Sequence, residues 1–149
     1  MMLKIEDVQR LRQKTGFGVM DCRRALQAAN GDLQKAQEIL QKSGAEKVFE
    51  KRQRETKSGI IESYAHHGKI GVLLELLCET DFVAKNQLFK ELAHDLVLQI
   101  ASMAPADEKE LLKQPFIKDE SKTISELIAE KVAKTGENIK INRFQRWEL

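Results

Sequence analysis

Residues 59 to 79 read GIIESYAHHGKIGVLLELLCE, and how this stretch folds decides the architecture of the chain. Ile70, Val72, Leu74, Leu76 and Cys78 alternate with Gly71, Leu73, Glu75, Leu77 and Glu79. A period of two makes one strand face fully apolar and leaves the other mixed, the pattern of a sheet packed on one side and partly wet on the other. The preceding run IIESYAH predicts an antiparallel partner, joined through a tight turn at His67, Gly68 and Lys69 in which glycine takes the positive φ. Helices must cover the apolar face.

The cover is legible downstream. Asn86 is placed to cap a helix whose Phe89, Leu92, Ala93, Leu96, Val97 and Ile100 form a stripe wide enough to lie on a sheet, with Pro105 beyond its end. Thr123 and Glu126 have the spacing of a capping box, opening a second helix through Ile124, Leu127, Ile128 and Val132 that stops at Gly136. The final run NIKINRFQRWEL predicts another strand, and its alternation slips near Arg143 in the manner of a bulge.

Upstream, three short helical stripes succeed one another. Ile5, Val8 and Leu11 share a face that ends at the TGFG stretch, Thr15 to Gly18. A second piece runs from about Met20 through Cys22, Leu26 and Ala29 to a stop at Asn30 and Gly31. Asp32 caps a third, carrying Leu33, Ala36, Ile39 and Leu40, with Ser43 and Gly44 as its expected end. The segment KVFEKRQRETKSG then mixes acids and bases too densely to hide a helix face; its cluster Lys51, Arg52, Arg54 and Lys57 is expected on a solvated spacer, helical at most in its first half. The expected fold class is therefore α+β: a three-helix bundle over residues 1–45, a charged linker over 46–57, and a core over 58–149 with a helix-covered, three-stranded antiparallel sheet.

Composition narrows the functional classes. A chain of 149 residues with 42% hydrophobic residues holds one ordinary domain or two small ones. Basic and acidic residues number 25 and 23, too even a balance for nucleic acid to be the expected partner. Glu6 and Asp7 interrupt any secretory core at the N-terminus and Glu75 interrupts the longest apolar run, so a soluble, cytoplasmic chain that does not engage membranes is expected. Two cysteines, Cys22 and Cys78, lie among apolar neighbours and predict packed, reduced thiols. His66 and His67 are adjacent and diverge, and His94 stands apart on a helix, so no metal-ligand spacing is present; Gly16 and Gly18 lack the spacing of a phosphate loop. No cofactor, metal or catalytic residue is expected.

One stretch stays unexplained by these readings: CETDFVAKN, residues 78 to 86, where Phe82 and Val83 stand between Asp81 and Lys85 with no local apolar run to cover them. Either the pair folds back under its own sheet, or it projects as a wedge into a partner.

Three stretches together resemble the bacterial elongation factor Ts family: LRQKTGFGVMDCRRALQAANGDLQKAQEIL, the tip CETDFVAKN with GVLLEL before it, and QPFIKD followed by GENIKINRF. The resemblance spans most of the chain in the family's order. It implies a guanine-nucleotide exchange factor of elongation factor Tu, without enzymatic chemistry of its own. The N-terminal bundle would then be like a ubiquitin-associated domain and dock on the partner's GTP-binding domain through Gly16 to Met20, including Val19, with Arg12 nearby. Thr80, Asp81, Phe82 and Val83 would form the tip that enters beside the nucleotide's magnesium site. The chain departs from longer family members between Met103 and Gln114, where APADEKELLK stands in place of a helical hairpin, and it carries the core only once. The single copy, with Leu73 and Leu77 on the second sheet face, predicts a homodimer. The competing functional reading is a non-catalytic adaptor that binds a partner through the bundle, with the tip merely packed.

Overall fold

The computed structural model describes residues 2–149, with side chains described for residues 2–44 and 50–149. Its contacts divide into two compact units, Met1–Glu50 and Lys51–Leu149. Helices and an antiparallel three-stranded sheet make it an α+β protein, as the periodicities predict.

In the first unit, helix α1 (Ile5–Thr15) closes at Gly16, whose φ of 74° lets its N–H reach the Arg12 carbonyl at 2.7 Å. Helix α2 (Val19–Ala28) is followed by Asn30 and Gly31, both at positive φ, the predicted stop. Helix α3 starts at Leu33, where Asp32 accepts from the N–H groups of Gln34 and Lys35 at 3.0 and 3.1 Å. The core of this unit is Leu11, Cys22, Ala25, Leu26, Ala29, Ala36 and Leu40, with Val8, Phe17 and Leu33 packed against it. Ile5, read as part of the buried stripe, is exposed. The expected stop at Ser43 and Gly44 is also corrected: α3 runs unbroken through both to Lys51. A glycine inside a helix costs only about 1 kcal/mol against alanine. Unlike Asn30 and Gly31, Gly44 has strong helix formers on both sides and does not turn the chain left-handed.

The second unit is built on β1 (Ser58–His66) and β2 (Ile70–Cys78), an antiparallel hairpin joined at the predicted turn, with β2 the central strand of the three. His67 and Gly68 both adopt positive φ at the turn, and Lys69 N–H closes on the His66 carbonyl at 3.0 Å. Val72, Leu74, Leu76 and Cys78 are buried, whereas Leu73 is exposed. Strand β5 (Lys140–Glu148) pairs with β2 on the other side; Glu75 lies opposite Arg143 and Leu76 opposite Ile141, so Asn142 is the extra residue of a bulge. That bulge is the slip seen near Arg143.

Asp81–Ala84 forms a single helical turn, α4, directly after β2. Helix α5 (Gln87–Met103) lays Phe89, Leu92, Ala93, Leu96, Val97 and Ile100 on the apolar face of β1 and β2, and its first turn is capped by Asn86 through Leu88 N–H at 2.9 Å. At its far end, Arg146 of β5 donates to the Ala101 carbonyl at 3.1 Å. The segment after Met103 carries the short helix α6 (Glu108–Lys113), which buries Leu111. A second hairpin, β3 (Pro115–Phe116) and β4 (Asp119–Thr123), follows; the periodicity did not disclose it because DESKT has no apolar alternation. Gln99 of α5 anchors it from full burial: its Nε2 donates to Pro115 O at 3.0 Å and its Oε1 accepts from Ile117 N–H at 2.9 Å. Helix α7 (Ile124–Thr135) begins at the predicted cap, with Thr123 Oγ1 accepting from Glu126 N–H at 3.2 Å, and ends at Gly136 with φ 77°.

Gly59 of β1 leaves no room for a side chain against the backbone of β2. A Cβ there would overlap the Leu76 carbonyl oxygen and come within 2.9 Å of Leu77 Cα, both backbone atoms that cannot swing aside. Gly59→Ala is therefore expected to destabilise the protein by roughly 1–3 kcal/mol, as overpacking does. Urea unfolding measures this, and an unchanged midpoint would contradict the close approach.

Candidate functional site

The stretch 78–86 resolves its two apolar residues in opposite directions. Thr80, extended in backbone, is the N-cap of α4 and its Oγ1 accepts from Val83 N–H at 3.3 Å. The chain thus turns into a helix immediately beyond the strand, and the tip is one helical turn rather than a bare strand end. Val83 and Ala84 are buried at 4% and 6% relative exposure, while Phe82 stands 83% exposed. A Phe–Val pair read as one unit is therefore split: Val83 belongs to the core, and Thr80, Asp81 and Phe82 remain at the surface. Asp81 is held by Ser58 at the start of β1, whose Oγ donates to Asp81 Oδ1 at 2.9 Å.

A residue that sequence reasoning missed lies against this turn. Glu137, next after the Gly136 cap of α7, accepts from Glu79 N–H at 3.1 Å and Thr80 N–H at 3.0 Å through Oε1, and from the Thr80 hydroxyl at 2.7 Å through Oε2. No local signal in the sequence points to it, because its partners lie 57 and 58 residues away.

Cys78 closes β2 beneath the tip, fully buried and donating to the Thr80 carbonyl at 3.2 Å. Burial first, and then the nearby Glu137 charge, push its pKa up to about 11. Burial likewise raises the Cys22 thiol. A thiol that stays protonated at neutral pH is a poor nucleophile. Because the folded value lies above the free thiol's, Cys78 contributes stability that is complete below pH 9.0 and is lost as pH rises toward about 11. Neither cysteine of the native protein is expected to react with a maleimide at about pH 8, and both should react after unfolding. Rapid native labelling of Cys78 would contradict its burial.

In the first unit, the other predicted residues form an exposed rim around a half-buried phenylalanine. Gly16 and Gly18 are exposed, Val19 and Met20 are exposed at 46% and 56%, and Arg12 is exposed in the last turn of α1, whereas Phe17 between them turns inward onto the core. Val19 and Met20 thus stand side by side in water at the start of α2.

On the second unit's sheet, the face opposite α5 presents Ile61 and Leu73, flanked by the ion pair of Glu75 and Arg143 in a shallow groove. The Arg143 guanidinium, and then Asn142, hold the Glu75 carboxyl below its usual range. Among the described residues, no helix is long and apolar enough to cross a membrane.

With these positions known, comparison with known proteins is decisive. Residues 79–149 match the family described as elongation factor TS. Proteins named elongation factor Ts from Thermotoga maritima and Fervidobacterium nodosum are 40% and 42% identical to the chain, covering all of it and 97% and 99% of their own lengths. One from Carboxydothermus hydrogenoformans is 40% identical over 99% of this chain and 89% of its own.

The chain belongs to the elongation factor Ts family. It is thereby one of the elongation factors of protein synthesis, and the resemblance carried by the tip and bundle motifs holds along its whole length. The alignments run over 193 to 195 positions against the 149 residues of this chain, so these elongation factor Ts relatives carry stretches that it does not.

Proposed function

We propose that this protein accelerates GDP release from elongation factor Tu by inserting Phe82 and Asp81 beside the nucleotide and its magnesium ion. The observation that supports this reading is the 83% exposure of Phe82 on a turn whose next residues are buried. A large aromatic held out in water by a fixed backbone is matched to a pocket on another molecule. A GTPase holds GDP through phosphate contacts and magnesium, so a wedge that shifts that site removes a strong electrostatic term, and Asp81 adds negative charge near the phosphate oxygens. Coupling is reciprocal: a factor that weakens GDP is itself weakened by GDP, so incoming nucleotide ejects it and either nucleotide can follow. No bond is made or broken by the factor.

In this reading residues 1–45 act as the docking module, through Arg12, Gly16, Val19 and Met20 on the partner's GTP-binding domain. Residues 46–57 act as spacer and 58–149 as the core that presents the tip. The direct test is the release rate of a fluorescent GDP from elongation factor Tu with and without this protein. Acceleration that saturates with added protein is expected; binding with no change in release would instead favour an adaptor.

The same reading includes a homodimer. Ile61 and Leu73 leave an apolar face in water on a sheet of only three strands, and a twofold axis would cover both copies at once. Light scattering at micromolar concentration is expected to give twice the chain mass of 17.0 kDa. The monomer mass would end the proposal.

A further inference from the structure

We infer that Glu137 is a positioning residue for nucleotide release: from the turn after α7 it holds α4 in the orientation that presents Phe82 and Asp81, an inference that rests on the exchange reading above. A helix of four residues has little stability of its own, because closing the first turn fixes several dihedrals for one hydrogen bond. Something outside α4 must set its direction. Burial of Val83 and Ala84 supplies adhesion, which is non-directional.

Ser58 gives α4 one directional bond, to Asp81, and the Glu137 carboxylate fixes the turn that leads into it. Oε1 of Glu137 accepts from the N–H groups of Glu79 and Thr80 at 3.1 and 3.0 Å, orienting the peptide planes where the strand gives way to the turn. Its Oε2 accepts from the Thr80 hydroxyl at 2.7 Å, and the same hydroxyl oxygen accepts from Val83 N–H at 3.3 Å. Thr80 is thus a relay: by donating to Glu137 its hydroxyl is rotated so that a lone pair faces the Val83 amide, which makes the helix cap.

The clamp is reciprocal. Glu79 Oε2 accepts from Asn138 N–H at 2.6 Å, so each chain segment offers a carboxylate to the other's backbone. Arg54 braces the crossing, lying 3.7 Å from Glu79 Oε2 and donating to the Gly136 carbonyl at 3.3 Å. Thr135 Oγ1 fixes the other side by accepting from Glu137 N–H at 3.3 Å. Hydrogen bonds to a charged group are among the stronger ones, and three of them converge on Glu137. Glu137 touches neither Asp81 nor Phe82 in these bonds and acts on the exposed pair through Glu79 and Thr80. Its loss would let α4 sample other orientations, so the step that needs the wedge aligned should slow while docking elsewhere persists.

The test compares Glu137→Ala and Glu137→Gln with the wild type in stimulated release of fluorescent GDP from elongation factor Tu, alongside amide hydrogen exchange of the free full-length proteins. For Glu137→Ala, the saturated release rate is expected to fall about tenfold or more, with the half-saturating concentration moving less than about twofold. The Thr80 and Val83 amides should exchange faster. Glu137→Gln keeps one acceptor oxygen and is expected to lose only about threefold. If the wild type drives release and Glu137→Ala does so at the full saturated rate, or changes only its half-saturating concentration, the positioning role falls and the exchange reading stands. If the wild type drives no release, both fall. Should Glu137→Ala be unfolded by circular dichroism, Glu137→Gln decides: a slower saturated rate supports the role, and a wild-type rate overturns it.

Discussion

Changing Asp81 and Phe82 together to alanine is expected to leave the melting temperature of the free protein nearly unchanged while stimulated GDP release falls about 10- to 100-fold. Phe82 is 83% exposed, so truncating it removes almost no buried area in the free protein. Asp81 gives up one surface hydrogen bond, from Ser58, and exposed substitutions usually alter stability by less than about 0.5 kcal/mol. In the complex the arithmetic reverses. Burying a phenylalanine in an apolar slot is worth about 1.5–3 kcal/mol, and each ~1.4 kcal/mol removed from the dissociation barrier is worth tenfold in rate. Melting and release must be measured on the same variant. A stable double variant that still drives release at the full rate rules out the wedge, and a strongly destabilised one shows that Phe82 packs on its own fold.

Phe89→Ala, seven residues further along, is expected to do the opposite. Phe89 has 0% relative exposure and heads the stripe of α5 that lies on β1 and β2. Removing it deletes the ring's contacts and leaves a cavity that the surrounding sheet and helix only partly fill, a loss of roughly 3–5 kcal/mol. A unit of about a hundred residues would then melt at least ~10 °C lower. Thermal unfolding by circular dichroism checks this, and a shift of only a degree or two would mean that α5 does not seat on the sheet as described. At temperatures where the variant remains folded, its saturated GDP release should stay close to wild type, because Phe82 and the Glu137 clamp are untouched. The two phenylalanines thus separate stability from exchange.

The contrast between them also marks what could be read in advance. The alternation in β2, the stripe of α5, the Thr123 cap, the stops at Gly31 and Gly136 and the slip near Arg143 were legible because each depends on the chemistry of a few neighbouring residues: a period, a side chain that reaches an amide two or three positions on, or a backbone that tolerates positive φ. Local rules failed where the deciding partner was distant or the local preference was weak. Helix α3 passes through Gly44 since one glycine is a small cost within good helix formers. The β3–β4 hairpin takes its anchorage from Gln99, on a different element.

By itself, then, the sequence determined the order of the larger elements (the bundle helices, the β1–β2 hairpin, α5, α7 and β5), the apolar face of the sheet and the presence of an unusual aromatic at its end. It did not determine which of Phe82 and Val83 would face water. Adjacent side chains on a helical turn diverge by about 100°, so one of the pair points inward, and which one depends on how the turn is rotated on the core. That rotation comes from Thr80, set by a Glu137 carboxylate that only tertiary folding brings to it from 57 residues away.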